Sequence, residues 1–145
     1  MDKVTNNAPL QPARLNLRPW LKFFILLVVI GSVATLISLL PRGYSQDISL
    51  IGKGENTVVL VHDHNKLASL ETMNALNTLR GEYEGHVKFL VADIFTRKGK
   101  GFAEKYDTPF TALVFFAPNG ERLKTLYGQQ DAATIRNTLN QQFRN

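Results

Sequence analysis

The chain begins polar, turns apolar for one long stretch and then alternates in short blocks. Trp20–Leu40 runs WLKFFILLVVIGSVATLISLL, with one charge, Lys22, near its start. About 20 apolar residues in a helix cross a hydrocarbon core of roughly 30 Å. Lys22 can snorkel to the interface, Trp20 suits the headgroup zone, and Pro19 and Pro41 flank the run where they can start and stop a helix. The core helix of a soluble protein can have this composition, but so short a chain has little else to cover it on all sides. A membrane helix over residues 19–41 is the expectation. Ser32-Val33-Ala34 satisfies the small-residue rule of a signal-peptidase site, yet Leu36–Leu40 continues the apolar run past it, which favours an uncleaved signal-anchor.

The blocks that follow predict alternating strands and helices. Thr57–Val61 is β-branched and continuously apolar, as for a strand buried on both faces. Leu67, Leu70, Met73, Leu76 and Leu79, with Ala68 and Ala75, give an apolar row that predicts a helix ending near Gly81–Gly85. Val87–Ile94 is a second buried strand, a short helix follows over roughly Lys100–Tyr106, and Thr111–Phe116 is a third strand. Pro118-Asn119-Gly120 predicts a tight turn, because Asn and Gly tolerate positive φ. Arg122–Tyr127 pairs back, and Asp131 caps a last helix carrying Ile135, Leu139 and Phe143 on one face. Between the membrane helix and the first strand, residues 42–56 form a linker in which Ile48–Ile51 is a small edge strand. The globular part is then 57–145, and 1–18 is a tail whose first 16 residues, rich in Asn, Pro and Gln, are expected to be mobile or ordered by a partner.

Charge changes the picture only once it is placed along the chain. The formal net charge is +5, but Lys3, Arg14, Arg18 and Lys22 against Asp2 supply +3 of it, and from Arg42 onward 13 basic and 11 acidic residues nearly cancel. A nucleic-acid-binding face on the domain is therefore not implied. Basic residues crowd the N-terminal flank of the apolar run, whereas Arg42 and Lys53 are the near ones beyond it. The positive-inside rule puts the tail in the cytoplasm and the domain across the inner membrane, in the periplasm of a Gram-negative cell.

The order β-α-β-α-β-β-α resembles the thioredoxin fold, a mixed α/β sheet with flanking helices, from about Thr57 to Phe143. The resemblance is carried by Glu82-Tyr83-Glu84-Gly85 with the following strand, and by Phe102-Ala103-Glu104-Lys105-Tyr106 with LVFFAPNGE at Leu113–Glu121. Aligned back from Tyr83, the family's Trp-Cys-Gly-Pro-Cys falls on Asn65-Lys66-Leu67-Ala68-Ser69. The chain contains no cysteine. The resemblance implies a thiolate at Lys66 and a resolving thiol at Ser69, and neither residue can supply one. The buried acid of redox members falls on Leu60. Their cis-proline falls on Thr111, two residues after Pro109, which is read as a trans loop proline; a shifted loop with Thr108-Pro109 in cis is the alternative. Pro109 remains a candidate for partner binding.

Other chemistry at this place rests on His62, Asp63 and His64, which close the first strand and could offer two imidazoles and a carboxylate to a metal, with His86 expected at the opposite end of the sheet. The bland alternative is a polar loop in which Asp63 or Asn65 caps the next helix. Ser69 with His64 as base is a weaker nucleophilic pairing. Arg97, Lys98, Lys100 and Lys105 have the look of a solvated loop that can meet anionic lipid or an acidic partner, and no phosphate-loop motif accompanies them. Tyr44, Phe95, Phe102 and Phe110 are read mainly as core filling.

Two classes of function follow. The first is a redox-inactive, non-enzymatic binding module, tethered to the bilayer, which serves a larger integral membrane protein complex as accessory subunit or assembly factor, with no cofactor and no small-molecule substrate. Its membrane helix would share the interface through Gly31, Ser32, Ala34 and Thr35, small residues that permit close helix approach. The second is a periplasmic metal-binding or enzymatic domain built on His62, Asp63 and His64.

Overall fold

The computed structural model describes residues 19–38, 43–108 and 110–143. The chain divides into two units between Arg42 and Gly43. In the first, helix α1 (Pro19–Ser38) is long and apolar enough over Pro19–Ile37 to cross a membrane, with a mean hydropathy of 2.3 and no buried residues. Pro19 occupies its first helical position, where a missing N–H costs nothing. The Ser32 hydroxyl donates to the Val28 carbonyl (2.7 Å) and that of Thr35 to the Gly31 carbonyl (2.8 Å), so both polar side chains are satisfied within the helix.

The second unit contains β1 (Asn56–His62), α2 (Leu67–Leu79), β2 (Val87–Asp93), α3 (Arg97–Tyr106), β3 (Ala112–Phe116), β4 (Arg122–Tyr127) and α4 (Ala132–Phe143). The strands form one sheet in the order β2-β1-β3-β4. β1 runs parallel to β2 and antiparallel to β3, and β3 is antiparallel to β4. The five central residues of β1 and all of β3 are buried, as continuous apolar runs require when both faces of a sheet are covered.

Alternation along the strands sends side chains into two cores. Val58, Leu60, Leu113 and Phe115 meet Leu76 and Leu79 of α2 and Ile135 and Leu139 of α4 on one face. Val59, Val61, Val114 and Phe116 meet Phe102 of α3 on the other. Each fully buried Leu or Phe contributes about 1.5–3 kcal/mol. The domain is thus a three-layer sandwich, α2 and α4 on one side of the sheet and α3 on the other.

Four local expectations need correcting. Ile48–Leu50 is a turn of 3-10 helix and not an edge strand: the Asp47 carboxylate accepts the Ser49 N–H and hydroxyl, and the turn lets Ile48, Leu50 and Ile51 all pack on the second core. The edge pairing is made earlier, by Ser45 beside Leu90. Helix α3 starts at Arg97, three residues before the expected start, because the Thr96 hydroxyl accepts the Gly99 N–H and caps it. Arg97, Lys98 and Lys100 are therefore helical and not in a loop. Gly99 is required there: a Cβ would stand 1.9 Å from the Asp93 carbonyl oxygen.

The third correction concerns α2. Its inward face is Ser69, Thr72, Leu76 and Leu79, while Leu67 is 70% and Leu70 41% exposed. Positions three apart on an α-helix rotate by roughly 60° against each other, so a row repeating strictly every three residues cannot stay on one face. The fourth is the cap of α2: Lys66 holds the N-cap position with no side-chain hydrogen bond, and neither Asp63 nor Asn65 fills that role. The β3–β4 turn is as expected, with positive φ at Gly120 (86°), and Asp131 does cap α4, its carboxylate accepting the Thr134 N–H at 2.8 Å.

Candidate functional site

β1 ends at His62, beside Asp93 of β2, and the chain turns at once into α2. The turn is closed by Asp63, whose carboxylate accepts the Asn65 N–H (2.9 Å) and whose carbonyl accepts the Lys66 N–H (3.0 Å). Lys66 is exposed at the start of the helix, and Ser69, one turn further, is fully buried. The Ser69 Oγ accepts the Asp63 N–H at 3.0 Å and lies 2.8 Å from His62 Nδ1. The hydroxyl has one proton and two lone pairs, so it accepts the Asp63 N–H and still shares a hydrogen bond with Nδ1, whose direction follows the imidazole tautomer. Burial holds the His62 imidazole below its usual pKa; Asp93 opposes the shift and His64 adds to it.

The serine pairs with His62 and not with His64, the weaker alternative weighed from the sequence, and it satisfies a backbone donor at Asp63. The His64 ring lies 4.4 Å from that of Phe95. Ser69 is inaccessible to a substrate as the side chain stands, and its hydroxyl bridges the end of β1 to the first turn of α2. His86 precedes Val87, whose partner is Asn56 at the start of β1, so it lies at the other end of the sheet as expected. Among the described residues no group of three or more His, Asp or Glu side chains is arranged to hold a metal ion. Leu60, where the resemblance sets the buried acid of redox thioredoxins, is fully buried in the first core.

Thr111 is nearly buried, and its carbonyl accepts the Gly128 N–H at 2.9 Å, so this backbone oxygen is already engaged within the domain. Pro109, and with it the geometry of the Thr108-Pro109 bond, lies outside the described residues.

Sequence reasoning missed the apolar surface around this polar turn. Of the four aromatics read mainly as core filling, Phe95 is 56% and Phe110 60% exposed, while Phe102 and half-buried Tyr44 do fill the cores. The register explains their convergence. His62 is level with Asp93, Val61 with Ala112 and Ala112 with Tyr127, so Leu67, Phe95, Phe110 and Tyr127 all lie at the end of the sheet where β1 finishes. The available signal was position: Phe95 and Phe110 both fall just outside their strands, where no layer covers them.

No protein-family model matches the chain, and no curated protein matches it. Solved structures do. The germline-specific thioredoxin Deadhead of Drosophila melanogaster superposes with a TM-score of 0.59 at 16% identity, covering 70% of this chain and 99% of that one. Thioredoxin O2 of Arabidopsis thaliana, in the oxidised state, gives 0.57 at 16% identity, covering 66% and 85%. At that identity the likeness establishes the fold and leaves chemistry to the residues. The domain that follows the apolar helix is a thioredoxin-like fold without a cysteine.

Proposed function

We propose that this protein is a redox-inactive, membrane-tethered binding module, an accessory subunit or assembly factor of a larger integral membrane complex. On this reading α1 is an uncleaved anchor in the inner membrane, the N-terminus is cytoplasmic and the thioredoxin-like domain is periplasmic. The observation that carries the proposal is the reversal of polarity at the end of β1. The residue at the resolving-thiol position is buried and spends its hydroxyl on Asp63 and His62, while Leu67, Phe95, Phe110 and Tyr127 stand in solvent. Apolar side chains exposed together at one end of a sheet are poorly hydrated and favour burial against another protein. Such a surface needs no thiol to bind. The small residues Gly31, Ser32, Ala34 and Thr35 give α1 a place where a second membrane helix can approach closely.

Purification of the full chain from its native membranes in mild detergent tests the proposal. A stoichiometric membrane protein partner is expected, and it is lost when Leu67, Phe95 and Phe110 are changed to Ser. Recovery of the chain alone at normal yield overturns the complex-subunit reading.

The Ser69–His62 contact favours a second reading, an enzymatic or metal-binding site on His62, Asp63 and His64. It predicts metal in the purified protein, or loss of function in the His62→Gln, His64→Gln double variant. A metal-free protein whose double variant keeps its partner removes it.

A further inference from the structure

The second surface with a pronounced character is the outer face of α3. Arg97, Lys98, Lys100 and Lys105 are all exposed on this one ten-residue helix. Asp47 lies near enough to Lys98 to offset part of its charge, and Glu104 shares the helix. The two ion pairs found among the described residues, Lys88 with Glu55 and Arg136 with Glu82, involve none of the four. A groove of about 470 Å³ runs between this helix and the 3-10 turn. Ile48, Ile51 and Phe102 make its apolar part, and Arg97, Lys98 and Lys105 its cationic part.

Chain connectivity adds a second observation. Six residues, 39–44, separate the end of α1 from Ser45, whose carbonyl is fixed to β2 by the Val91 N–H at 3.0 Å. The next two residues, Gln46 and Asp47, line a depression with Thr96, Arg97 and Lys98. A linker of that length reaches at most roughly 25 Å. With α1 taken as a membrane span, the segment against which α3 packs cannot leave the vicinity of the bilayer.

We propose that the cationic face of α3 rests on anionic lipid headgroups, phosphates meeting Arg97, Lys98, Lys100 and Lys105. The proposal rests on the anchoring of α1. A row of cations held near an anionic leaflet gains attraction that falls off within a Debye length of about 10 Å at 0.1 M salt, so a short tether makes it effective. Contact on this face leaves α2 and α4, on the other side of the sheet, turned away from the lipid.

Because the chain has no cysteine, single cysteines can report the geometry. The full chain is placed in nanodiscs of phosphatidylcholine, or of phosphatidylcholine with phosphatidylglycerol, each containing a headgroup-linked quencher. A fluorophore sits at Gly101→Cys on α3, where a Cβ meets nothing within 4 Å, or at exposed Gln141→Cys on α4. Quenching at 101 is expected in the anionic discs only, reversed by high salt, while the label at 141 does not respond to lipid charge. Changing Arg97, Lys98, Lys100 and Lys105 to Gln is expected to weaken the association on the order of a hundredfold, each exposed cation contributing roughly fivefold before the nearby carboxylates are allowed for. Equal quenching at 101 in both discs, or indifference to the four substitutions, overturns the proposal. A chain that co-migrates with the discs without charge-dependent quenching overturns it alone; one that joins neither disc overturns the anchor as well. An acidic protein as occupant would leave 101 unquenched and would be lost from the purified quadruple variant, which also counts against lipid.

Discussion

Helices α2 and α4 lie on the same side of one sheet and share a core, yet they begin in opposite ways. At α4 the local rules are kept. Asp131 caps it, Ile135 and Leu139 point into the core, and the buried Thr138 hydroxyl is returned to the Thr134 carbonyl. At α2 a lysine occupies the cap position, Ser69 and Thr72 are turned inward, and Leu67 and Leu70 face water. Local conflict of this kind persists in a folded protein where something other than stability holds the residues in place. The start of α2 is also where the sequence resemblance to thioredoxins places their thiols, and the contrast sets a helix whose start follows the local rules against one whose start exposes leucines.

Four substitutions or conditions would break or sharpen that contrast. The largest effect is expected for Ser69→Ala, which leaves the Asp63 N–H without its partner in a buried site and costs about 1–3 kcal/mol. Asp131→Ala, at the exposed cap of α4, is expected to destabilise by less than Ser69→Ala does. Lys66→Asp is expected to work in the other direction, gaining roughly 0.5–1 kcal/mol by giving α2 the cap it lacks. Guanidinium unfolding of the full chain in detergent, followed by circular dichroism, ranks all three. Loss of stability with Lys66→Asp would mean that the lysine itself stabilises the turn.

The smallest effect separates the two helices by pH. The folded pKa of His62 is lowered, chiefly by burial, so protonation disfavours the folded state. Its contribution is complete above the ordinary histidine value of roughly 6.5 and is lost as pH falls through the lower folded value. At α4, backbone donation from Thr134 lowers the pKa of Asp131, so that contribution holds above the ordinary carboxylate range and is lost only in stronger acid. Melting curves between pH 7.5 and 3 are expected to lose the first step in His62→Gln and to have a smaller second step in Asp131→Asn. An unchanged first step in His62→Gln would assign it to another group.

Much of the sandwich was legible because its signals are local. Longer apolar runs rich in β-branched residues and bounded by turn residues favour strands covered on both sides, and Asn119-Gly120 and Asp131 act on their immediate neighbours. What was hidden depends on partners distant in sequence. The direction of Leu67 and the burial of Ser69 follow from how α2 is rotated against β1, which an apolar row every three residues does not fix. Phe95 and Phe110 look like core residues until the register shows that their strands have already ended. The turn at Ile48–Leu50 hides because a short apolar run fits a strand and a helical turn equally well. The lack of cysteine is plain in the sequence; the exposure of Leu67, Phe95 and Phe110 at one end of the sheet is not.

The central claim is that this surface binds a membrane protein. Its most direct test places a photo-crosslinker on single cysteines, one site per chain, in the otherwise cysteine-free protein in its native membrane. Phe95→Cys and Phe110→Cys are predicted to capture the same membrane protein, and Gln141→Cys, on the far end of α4, to capture none. Equal capture from all three sites, or none from 95 and 110, would contradict the claim.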